Sequence, residues 1–322
     1  MISVAMCTYN GELYIEEQIR SILNQTYPVD QIVVCDDGST DGTVCIIQKL
    51  FEEISSVEKI LIVNETRKGV TKNFEQALKL CNGNFIFLSD QDDIWVEDKV
   101  EKTIQIMEQN KSCLLFFSDA YLVDEKKNLL EKSLWDNIKF KKKKTYKIED
   151  FLGTRFVTGA TVALKKELLD CLPIPECWIH DAWLAINASI LGGVIASDKK
   201  TILYRQHSNN VIGVRKPSHI KHIMYCVKNI EKSIGFKKIM KKRFQSFIER
   251  NSENISENML DELKKCEGFW EETSILLDVS FGKGLCLINK NFVSGNYQKY
   301  SNGIYSLLID LYINIIYRYK RR

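Results

Sequence analysis

The sequence predicts an α/β fold, with a mainly parallel central sheet flanked by helices and a mostly helical C-terminal region. Over the first 120 residues, short runs rich in β-branched and aromatic side chains alternate with patterns of helical period, as in successive β-α-β units. Beyond Ile220 the pattern is mostly helical and contains no motif that we can connect with chemistry. We therefore expect a sheet-based domain over residues 1–215 and a helical region over residues 216–322.

Four β-rich runs are expected to form the parallel strands, because each is followed by polar or glycine-containing residues that turn the chain back into a helix. They span residues 2–6, 31–35, 59–64 and 84–89. The intervening helices are predicted over residues 13–25, 41–54, 70–80 and 97–109. In the first helix Ile15, Ile19 and Ile22 share one face, and Ser39-Thr40-Asp41 supplies a cap for the second.

The second half of the sheet domain is less regular. A further strand is expected over residues 113–118, and the polar, lysine-rich residues 124–147 are interpreted as a long excursion over the sheet. The apolar pattern resumes at residues 158–164, with helices expected at 166–171 and 181–191. Because ligands bind at the carboxyl ends of strands in open α/β sheets, functional side chains are expected where the strands end.

Composition excludes several classes of protein. With 45% hydrophobic residues, 27% charged residues and only 4 prolines, the 322-residue chain is neither collagenous nor mucin-like nor disordered. The 10 cysteines lack the two-residue spacing of a zinc or redox motif, and they predict reduced core residues in a cytosolic protein. The net charge is only +3, and the basic clusters are not interleaved with stacking aromatic residues, so nucleic acid is not expected as a partner.

The sequence shows neither a secretory leader nor an apolar run of the ~20 residues that cross a bilayer. The nearest approach is the run over residues 303–317, where apolar residues form one helical stripe, followed by a basic tail at residues 318–322. Such a helix either lies on an anionic membrane surface or packs on the protein with a solvated tail. The stripe consists of Ile304, Leu307, Leu308, Leu311 and Ile315.

Carboxylates are concentrated after two of the predicted strands. Asp36 and Asp37 follow the second strand, where a carboxylate accepts hydrogen bonds from a nucleotide base or a ribose hydroxyl; a helix-capping turn is the alternative. Asp90, Asp92 and Asp93 follow the fourth strand, and like charges this close repel one another unless they share a cation. Oxygen ligands at this density suit Mg²⁺ or Mn²⁺, with an exposed acidic turn as the alternative.

Five segments, in order, form a combination of high specificity. They are VAMCTYN at residues 4–10, SILNQT at 21–26, VVCDDGSTDGT at 33–43, GVTKN at 69–73 and FLSDQDDIW at 87–95. Together they resemble glycosyltransferase family 2, whose members are inverting enzymes of the GT-A fold. The later segment LYRQHSNNVIG, at residues 203–213, is similar to the rhamnosyltransferase-like branch of that family.

The resemblance implies a GT-A catalytic domain over residues 1–215. Its nucleotide-sugar-binding half would span residues 1–110, and its acceptor half, which also contains the catalytic base, would span residues 111–215. The D-x-D triplet that ends in Asp92 implies that Asp92 binds Mn²⁺ or Mg²⁺, with Asp93 supporting it. The residues implied to contact the nucleotide are Thr8, Tyr9 and Asp37 at the base, Asp36 beside them, and Asp90 at the ribose.

The same resemblance implies that Asp181, at the start of a helix, is the base that removes the proton from the acceptor hydroxyl; a plain helix cap is the alternative. Arg205 and His207 would close over the diphosphate, and His207 would also reach the metal. Many relatives have Glu where this chain has His180, so the role of that residue is open. Trp178, His180 and Trp183 are candidates for contact with the sugar or the acceptor, and the tryptophans are alternatively core residues.

The sequence therefore predicts a metal-dependent inverting glycosyltransferase. The expected donor is dTDP-rhamnose or a UDP-hexose, and the expected acceptor is a growing, lipid-linked polysaccharide of a bacterial surface. This acceptor would bring a cytoplasmic enzyme to the inner face of the membrane. The alternatives are a nucleotidyltransferase of related fold, which would need basic residues in the loop over residues 7–12, and an inactive carbohydrate-binding scaffold.

Overall fold

The computed structural model describes residues 1–152, 156–207 and 219–317, with the backbone alone for residues 219–222. The chain divides into two compact units, the first formed by Met1–Tyr146 and Phe156–Lys216 and the second by Lys147–Arg155 and Pro217–Arg322. The division expected from the sequence at residue 215 differs in the segment 147–155, which belongs to the second unit. Ile148 and Leu152 of this segment are buried, and no local pattern shows which distant residues cover two such side chains.

The first unit is built on one eight-stranded sheet with the order β3-β2-β1-β4-β7-β6-β8-β5. The pairs β3-β2, β2-β1, β1-β4 and β6-β8 are parallel, whereas β7 pairs antiparallel with β4 and β6, and β5 pairs antiparallel with β8. The strands are β1 Ile2–Thr8, β2 Gln31–Asp36, β3 Glu58–Val63, β4 Phe85–Ser89, β5 Ile94–Trp95, β6 Leu115–Val123, β7 Ala163–Lys165 and β8 Val194–Arg205.

Helices connect these strands and cover the sheet. The helices of the first unit are α1 Ile15–Leu23, α2 Thr43–Glu53, α3 Val70–Leu80, α4 Lys99–Gln109, α5 Leu134–Ile138 and α6 His180–Ile190. In α1 the apolar side chains of Ile15, Ile19 and Ile22 are fully buried, as their spacing predicts. Strands β1 and β2 are buried along almost their whole length, as expected for central strands covered on both faces.

Four features of the second half of the first unit were not predicted. Strand β6 runs five residues beyond the expected end at 118, and β8 was not expected at all. Residues 159–161 form a 3-10 helix rather than part of a strand. Within the polar excursion, Ser133 and Asp136 form a capping box that begins α5. The length of β6 and the presence of β8 depend on the pairing of these two strands with each other. They are about 80 residues apart in the chain, and local periodicity does not reveal such pairing.

The second unit is helical, as the sequence predicts. Its helices are α7 His219–Lys228, α8 Ile230–Asn251, α9 Glu257–Ser274, α10 Phe281–Val293, α11 Asn296–Tyr300 and α12 Ile304–Tyr312, which continues as a π-helical turn, Ile313–Tyr317. A buried ion pair joins Lys237 of α8 to Asp310 of α12. The hydroxyl of Tyr297 donates to the same carboxylate at 2.9 Å, and the ammonium of Lys237 also donates to the carbonyl oxygen of Thr273 at 3.3 Å.

Helix α12 buries one apolar face and leaves a second one exposed. Leu307, Ile309 and Ile313 are buried, whereas Ile304, Leu308 and Ile315 of the predicted stripe are each 46% exposed. The helix thus packs on its own unit and still presents apolar side chains to solvent. The basic tail at residues 318–322 lies outside the described residues. Among the helices that the structure describes, each is too short or too polar to cross a bilayer.

Candidate active site

The carboxyl ends of β1, β2 and β4 meet at one edge of the sheet. Thr8 is the register partner of Asp36, and Met6 is that of Ser89, so the three strands end almost level with one another. Tyr9, Asp37 and Asp90 directly follow these strands. The sheet therefore brings together side chains that lie up to 81 positions apart in the chain.

Asp36 is fully buried and organises the turn after β2. One carboxylate oxygen accepts the hydroxyl of Thr8 at 2.8 Å, and the other accepts the backbone N–H groups of Gly38 and Ser39 at 3.1 and 2.7 Å. Gly38 has a φ of 81°, a backbone conformation that residues with a side chain rarely adopt. Thr8 is only 2% exposed, so this geometry favours the turn interpretation for both residues and does not support their predicted contact with a nucleotide base.

Asp37 and Tyr9 lie beside Arg67, a residue that no sequence motif indicates. The two carboxylate oxygens of Asp37 accept the backbone N–H groups of Lys68 and Gly69 at 2.7 and 2.9 Å, which ties β2 to the loop before α3. The guanidinium of Arg67, from the same loop, lies 3.9 Å from the ring centroid of Tyr9, and its Nε lies 3.8 Å from Asp37. Its side chain is 61% exposed, so a planar ring has access to this cation and to the aromatic face.

Gln91 holds the loop that carries Tyr9. Its side-chain oxygen accepts the backbone N–H of Tyr9 at 2.8 Å, and its side-chain nitrogen donates to the carbonyl oxygen of Tyr9 at 3.0 Å. Gly11 leaves room for this contact, since a Cβ there would lie 2.3 Å from the amide oxygen of Gln91. The middle residue of the acidic triplet therefore positions the neighbouring strand end, a role that the spacing of the aspartates does not indicate.

The residues 90–93, hereafter the acidic turn, concentrate negative charge in a buried environment. Burial, together with the nearby carboxylates of Asp92 and Asp181, raises the pKa of Asp90 to about 7. Burial, with the charges of Asp92 and Asp90, also raises the pKa of Asp93 well above its ordinary value. Asp181 lies 91 positions after Asp90 in the chain, so the fold brings the predicted base within electrostatic reach of the acidic turn.

Asp92 and His207, the two predicted metal ligands, meet in the structure. Nε2 of His207 lies 2.9 Å from a carboxylate oxygen of Asp92, and the imidazole stacks on the ring of Tyr14 with a centroid distance of 5.1 Å. A carboxylate oxygen and an imidazole nitrogen together suit Mn²⁺. The part of the chain that the structure describes gathers no set of three or more histidine, cysteine, aspartate or glutamate ligands, so a metal here would need oxygens from a bound molecule.

Helix α6, which has Asp181 in its first turn, is held in place by α3. Lys72 donates to the carbonyl oxygen of Ile174 at 2.8 Å, and the carboxylate of Glu75 accepts the N–H of the same residue at 3.0 Å. Phe74 stacks on His180, with a centroid distance of 4.1 Å. Asp181 itself is half-buried in the first turn of α6. A helix from the nucleotide half of the unit therefore fixes the segment that carries the predicted base.

Comparison with known families agrees with this geometry. The sequence profile described as Glycosyl transferase family 2 matches residues 3–173, which is more than half of the chain and includes the acidic turn. The chain belongs to glycosyltransferase family 2. The matched residues include nearly all of β1 and the whole of β2 to β7, whereas Asp181, Arg205 and His207 lie beyond them.

Relatives of this family 2 chain include polysaccharide enzymes. The dTDP-rhamnosyl transferase RfbG of Shigella flexneri is 33% identical over 222 residues, covering 65% of this chain and 73% of the relative. The UDP-Glc:alpha-D-GlcNAc-diphosphoundecaprenol beta-1,3-glucosyltransferase WfgD of Escherichia coli is 36% identical over 116 residues, covering 36% of this chain and 44% of that protein. TarS 1–349 of S. aureus, solved with UDP-GlcNAc, superposes with a TM-score of 0.56 at 16% identity, covering 99% and 92% of the two chains. This likeness confirms the GT-A fold.

In this family 2 protein, the packing of Arg205 does not favour the predicted contact with a diphosphate. Its side chain is 2% exposed, and its guanidinium donates to the carbonyl oxygens of Asp92 and Glu125 at 2.9 and 3.0 Å and to the carboxylate of Glu17 at 2.7 Å. Its backbone N–H donates to Asp93 at 3.2 Å. Arg205 thus holds the acidic turn through buried hydrogen bonds. The residue type alone does not reveal this role, because it depends on the side chain being buried.

The aromatic residues around the base are also buried. Trp178 is 5% exposed, and Trp183 is 1% exposed with its indole N–H donating to the carbonyl oxygen of Cys171 at 3.0 Å. Both tryptophans pack in the core of this family 2 protein, which favours the core alternative over the predicted contact with a sugar face. His180 is 5% exposed, and burial lowers its pKa, which keeps the imidazole neutral. The predicted direct contact of His180 with the acceptor is likewise not supported.

Proposed function

We propose that this protein is an inverting glycosyltransferase that moves a sugar from a nucleotide-diphosphate sugar to a hydroxyl of a growing, lipid-linked bacterial polysaccharide. The observation that carries the proposal is the convergence of Asp181 and the Asp92–His207 pair on one acidic turn. The names of the relatives RfbG and WfgD support dTDP-rhamnose or UDP-glucose as the donor, and an acceptor linked to a lipid diphosphate.

The nucleotide base is assigned to the surface beside Tyr9 and Arg67. A base that stacks on the phenol ring of Tyr9 would have the guanidinium of Arg67 beside it, and both groups recognise a planar ring without depending on its substituents. The carboxylate of Asp37 retains acceptor capacity beyond its two backbone hydrogen bonds, because each oxygen has two lone pairs. A ring N–H of uracil or thymine suits that acceptor.

Asp92 and His207 would hold Mn²⁺ or Mg²⁺, with the remaining ligands coming from the diphosphate. The residues fit such an ion: Oδ2 of the neighbouring Asp93 is buried and has no hydrogen-bond partner among the residues that the structure describes, and a cation bound at the turn would stabilise the charged form of this carboxylate. A bound divalent ion would neutralise the diphosphate and make it a better leaving group.

Asp181 is assigned as the general base. Its carboxylate would accept the proton of the acceptor hydroxyl as the oxygen attacks the anomeric carbon from the face opposite the diphosphate. The nucleoside diphosphate leaves in the same step, and the anomeric configuration inverts.

The first experiment is calorimetric binding of UDP and dTDP with and without Mn²⁺. For the wild type we expect binding that is at least about tenfold tighter with Mn²⁺, and for Asp92→Ala we expect that gain to disappear, because a metal ligand is lost. The matched control is Asp170→Ala, an exposed aspartate that keeps the gain. Failure of the wild type to bind either nucleotide would contradict the donor site.

Turnover separates this function from its two alternatives. With dTDP-rhamnose or UDP-glucose as donor and water as acceptor, release of the nucleoside diphosphate identifies a transferase, and its absence points to the inactive scaffold. A nucleotidyltransferase is disfavoured by membership in glycosyltransferase family 2 and by the loop over residues 7–12, which contains no lysine or arginine. Formation of a nucleotide sugar from a sugar phosphate and a nucleoside triphosphate would reverse that judgement.

Contact with a membrane is proposed for the exposed face of α12. Ile304, Leu308 and Ile315 are exposed on this helix, and the four basic residues of the tail 318–322 follow it in the sequence. The chain from residue 217 onward has 18 lysines and arginines against 11 aspartates and glutamates, a net charge of +7, whereas residues 1–216 have 27 against 31, a net charge of −4. Apolar side chains beside positive charge suit the anionic inner face of the cytoplasmic membrane.

Removal of residues 318–322 together with Leu308→Gln is expected to weaken binding to phosphatidylglycerol vesicles by tenfold or more, since each basic residue near an anionic surface contributes ~1 kcal/mol. Sedimentation with the vesicles measures this, with phosphatidylcholine vesicles as the neutral reference. A truncation at Gly303 is unsuitable, because it would also remove Asp310 from the core. Equal sedimentation of variant and wild type would contradict the membrane contact.

A further inference from the structure

Lys99 is a buried cation that has no assigned role in the proposed transfer of the sugar. It is the first residue of α4 and only 1% exposed. Its ammonium donates to the carbonyl oxygen of Ala160 at 2.8 Å and lies 4.1 Å from the ring centroid of Trp95. A buried ammonium is costly unless it is paired and well hydrogen-bonded, and an apolar side chain of similar length would usually serve stability as well. Stability alone therefore does not explain a lysine at this position.

The charge of Lys99 acts on the acidic turn. Burial lowers the pKa of Lys99 to about 7, and the carboxylates of Asp93 and Asp90 oppose that lowering. In return, Lys99 opposes the upward shift of the pKa of both aspartates. The positive charge of Lys99 therefore offsets part of the negative charge of the acidic turn.

The carbonyl that Lys99 binds belongs to a segment that leads to the base. Ala160 lies in the 3-10 helix Gly159–Thr161, which continues directly into β7, and the carbonyl oxygen of Val162 accepts the N–H of Leu88 at 3.0 Å. Gly159 packs against the imidazole of His180, and a Cβ at this glycine would lie 2.8 Å from Nε2. His180 immediately precedes Asp181. A chain of contacts thus runs from Lys99 to the 3-10 helix, and from there both to β4, which ends directly before the acidic turn, and to His180, the neighbour of the base.

We propose that Lys99 is a positioning residue that links the acidic turn to the catalytic base. Its ammonium fixes the carbonyl oxygen of Ala160 in the 3-10 helix that is bonded through Val162 to Leu88, two residues before Asp90, so that Gly159 and His180 keep Asp181 aligned with the diphosphate-binding edge. The inference rests on the proposed transferase function. Lys99 touches neither Tyr9 nor Arg67, which are assigned to the nucleotide base, so its effect falls on turnover rather than on nucleotide affinity.

The test is Lys99→Met, which keeps the length of the side chain and removes its charge and its hydrogen bond. We expect kcat for release of dTDP from dTDP-rhamnose, or of UDP from UDP-glucose, to fall at least tenfold, with the affinity for the nucleoside diphosphate and Mn²⁺ changed less than threefold. The matched control is Met107→Ala, a fully buried residue two turns further along α4, which lowers the melting temperature without this loss of kcat.

A second variant keeps the proposal testable if Lys99→Met does not fold. Gly159→Ala pushes on His180 from the other end of the link and is expected to lower kcat in the same way. The two changes combined are expected to lower kcat by less than the product of their separate effects, because they break one link. An active wild type whose kcat is unchanged by Lys99→Met, or multiplicative effects of the two variants, overturns the role of Lys99. A wild type that neither binds nucleotide nor turns over donor overturns the transferase function itself.

Discussion

Asp181→Asn is expected to lower kcat by about 100- to 10,000-fold, the usual contribution of a general base. Asparagine keeps the shape of the side chain, and its amide oxygen can still accept the backbone N–H of Ala182, which Asp181 accepts at 2.6 Å. It cannot accept a proton from the acceptor hydroxyl. Because the nucleotide is assigned to Tyr9, Asp37 and Arg67, the affinity for UDP or dTDP should change little. Steady-state release of the nucleoside diphosphate and calorimetry measure the two quantities on the same preparation.

The control for Asp181→Asn is Asp170→Asn, which removes the same charge from an exposed position on the preceding 3-10 helix. This variant should keep wild-type turnover. If Asp181→Asn also keeps it, Asp181 is a residue of the helix start and nothing more, and the base must be sought elsewhere at the acidic turn. A loss of nucleotide affinity equal to the loss of turnover would instead place Asp181 in the donor site.

The second large effect is expected in the helical unit, where Asp310→Leu should reduce the free energy of opening by about 3–5 kcal/mol. Asp310 is 1% exposed and pairs with the buried ammonium of Lys237, so the substitution leaves an uncompensated charge in the core. The hydroxyl of Tyr297 loses its acceptor as well. Hydrogen exchange of the backbone amides of α8 and α12 measures the opening of this unit separately from the rest of the chain.

Two comparisons decide whether the buried charge is the cause of that effect. The double variant Lys237→Met with Asp310→Leu removes both charges and should recover most of the lost stability, since apolar pairs often replace buried ion pairs without net cost. The exposed pair Lys265–Asp261 provides the control, and Asp261→Asn should change the free energy of opening by less than ~1 kcal/mol. Equal effects of Asp310→Leu and Asp261→Asn would show that the buried pair is not important for stability.

The parallel half of the sheet and its carboxylates could be predicted from the sequence. The apolar period of β1, β2 and β4, and the turn residues that follow them, are local properties, so the ends of these strands were predicted to within two residues. The helices α1 to α4 were found for the same reason, with boundaries shifted by up to two residues at each end. The GT-A fold followed from motifs that lie within this half of the chain.

The sequence was less informative where function depends on burial. Arg205, Trp178 and Trp183 have side chains that suit ligand binding, and only their packing shows that they stabilise the protein core and the acidic turn. Lys99 gives the opposite case, because a single lysine at the start of a helix usually lies in solvent. Arg67 was missed because it stands in a polar loop with no motif of its own, and its position above Tyr9 arises only from the loop's conformation.

The sequence by itself determined the fold class, the family and the positions of the acidic residues, because these follow from periodicity and from motifs within the first 110 residues. The tertiary structure alone decided that Asp181 comes within electrostatic reach of Asp90, that Arg205 is buried against the acidic turn, and that Lys99 is buried with its ammonium bonded to the carbonyl oxygen of Ala160. The physical reason is that side-chain pairing and burial depend on which distant segments pack together, and in this chain the pairing of β6 with β7 and β8 makes that choice.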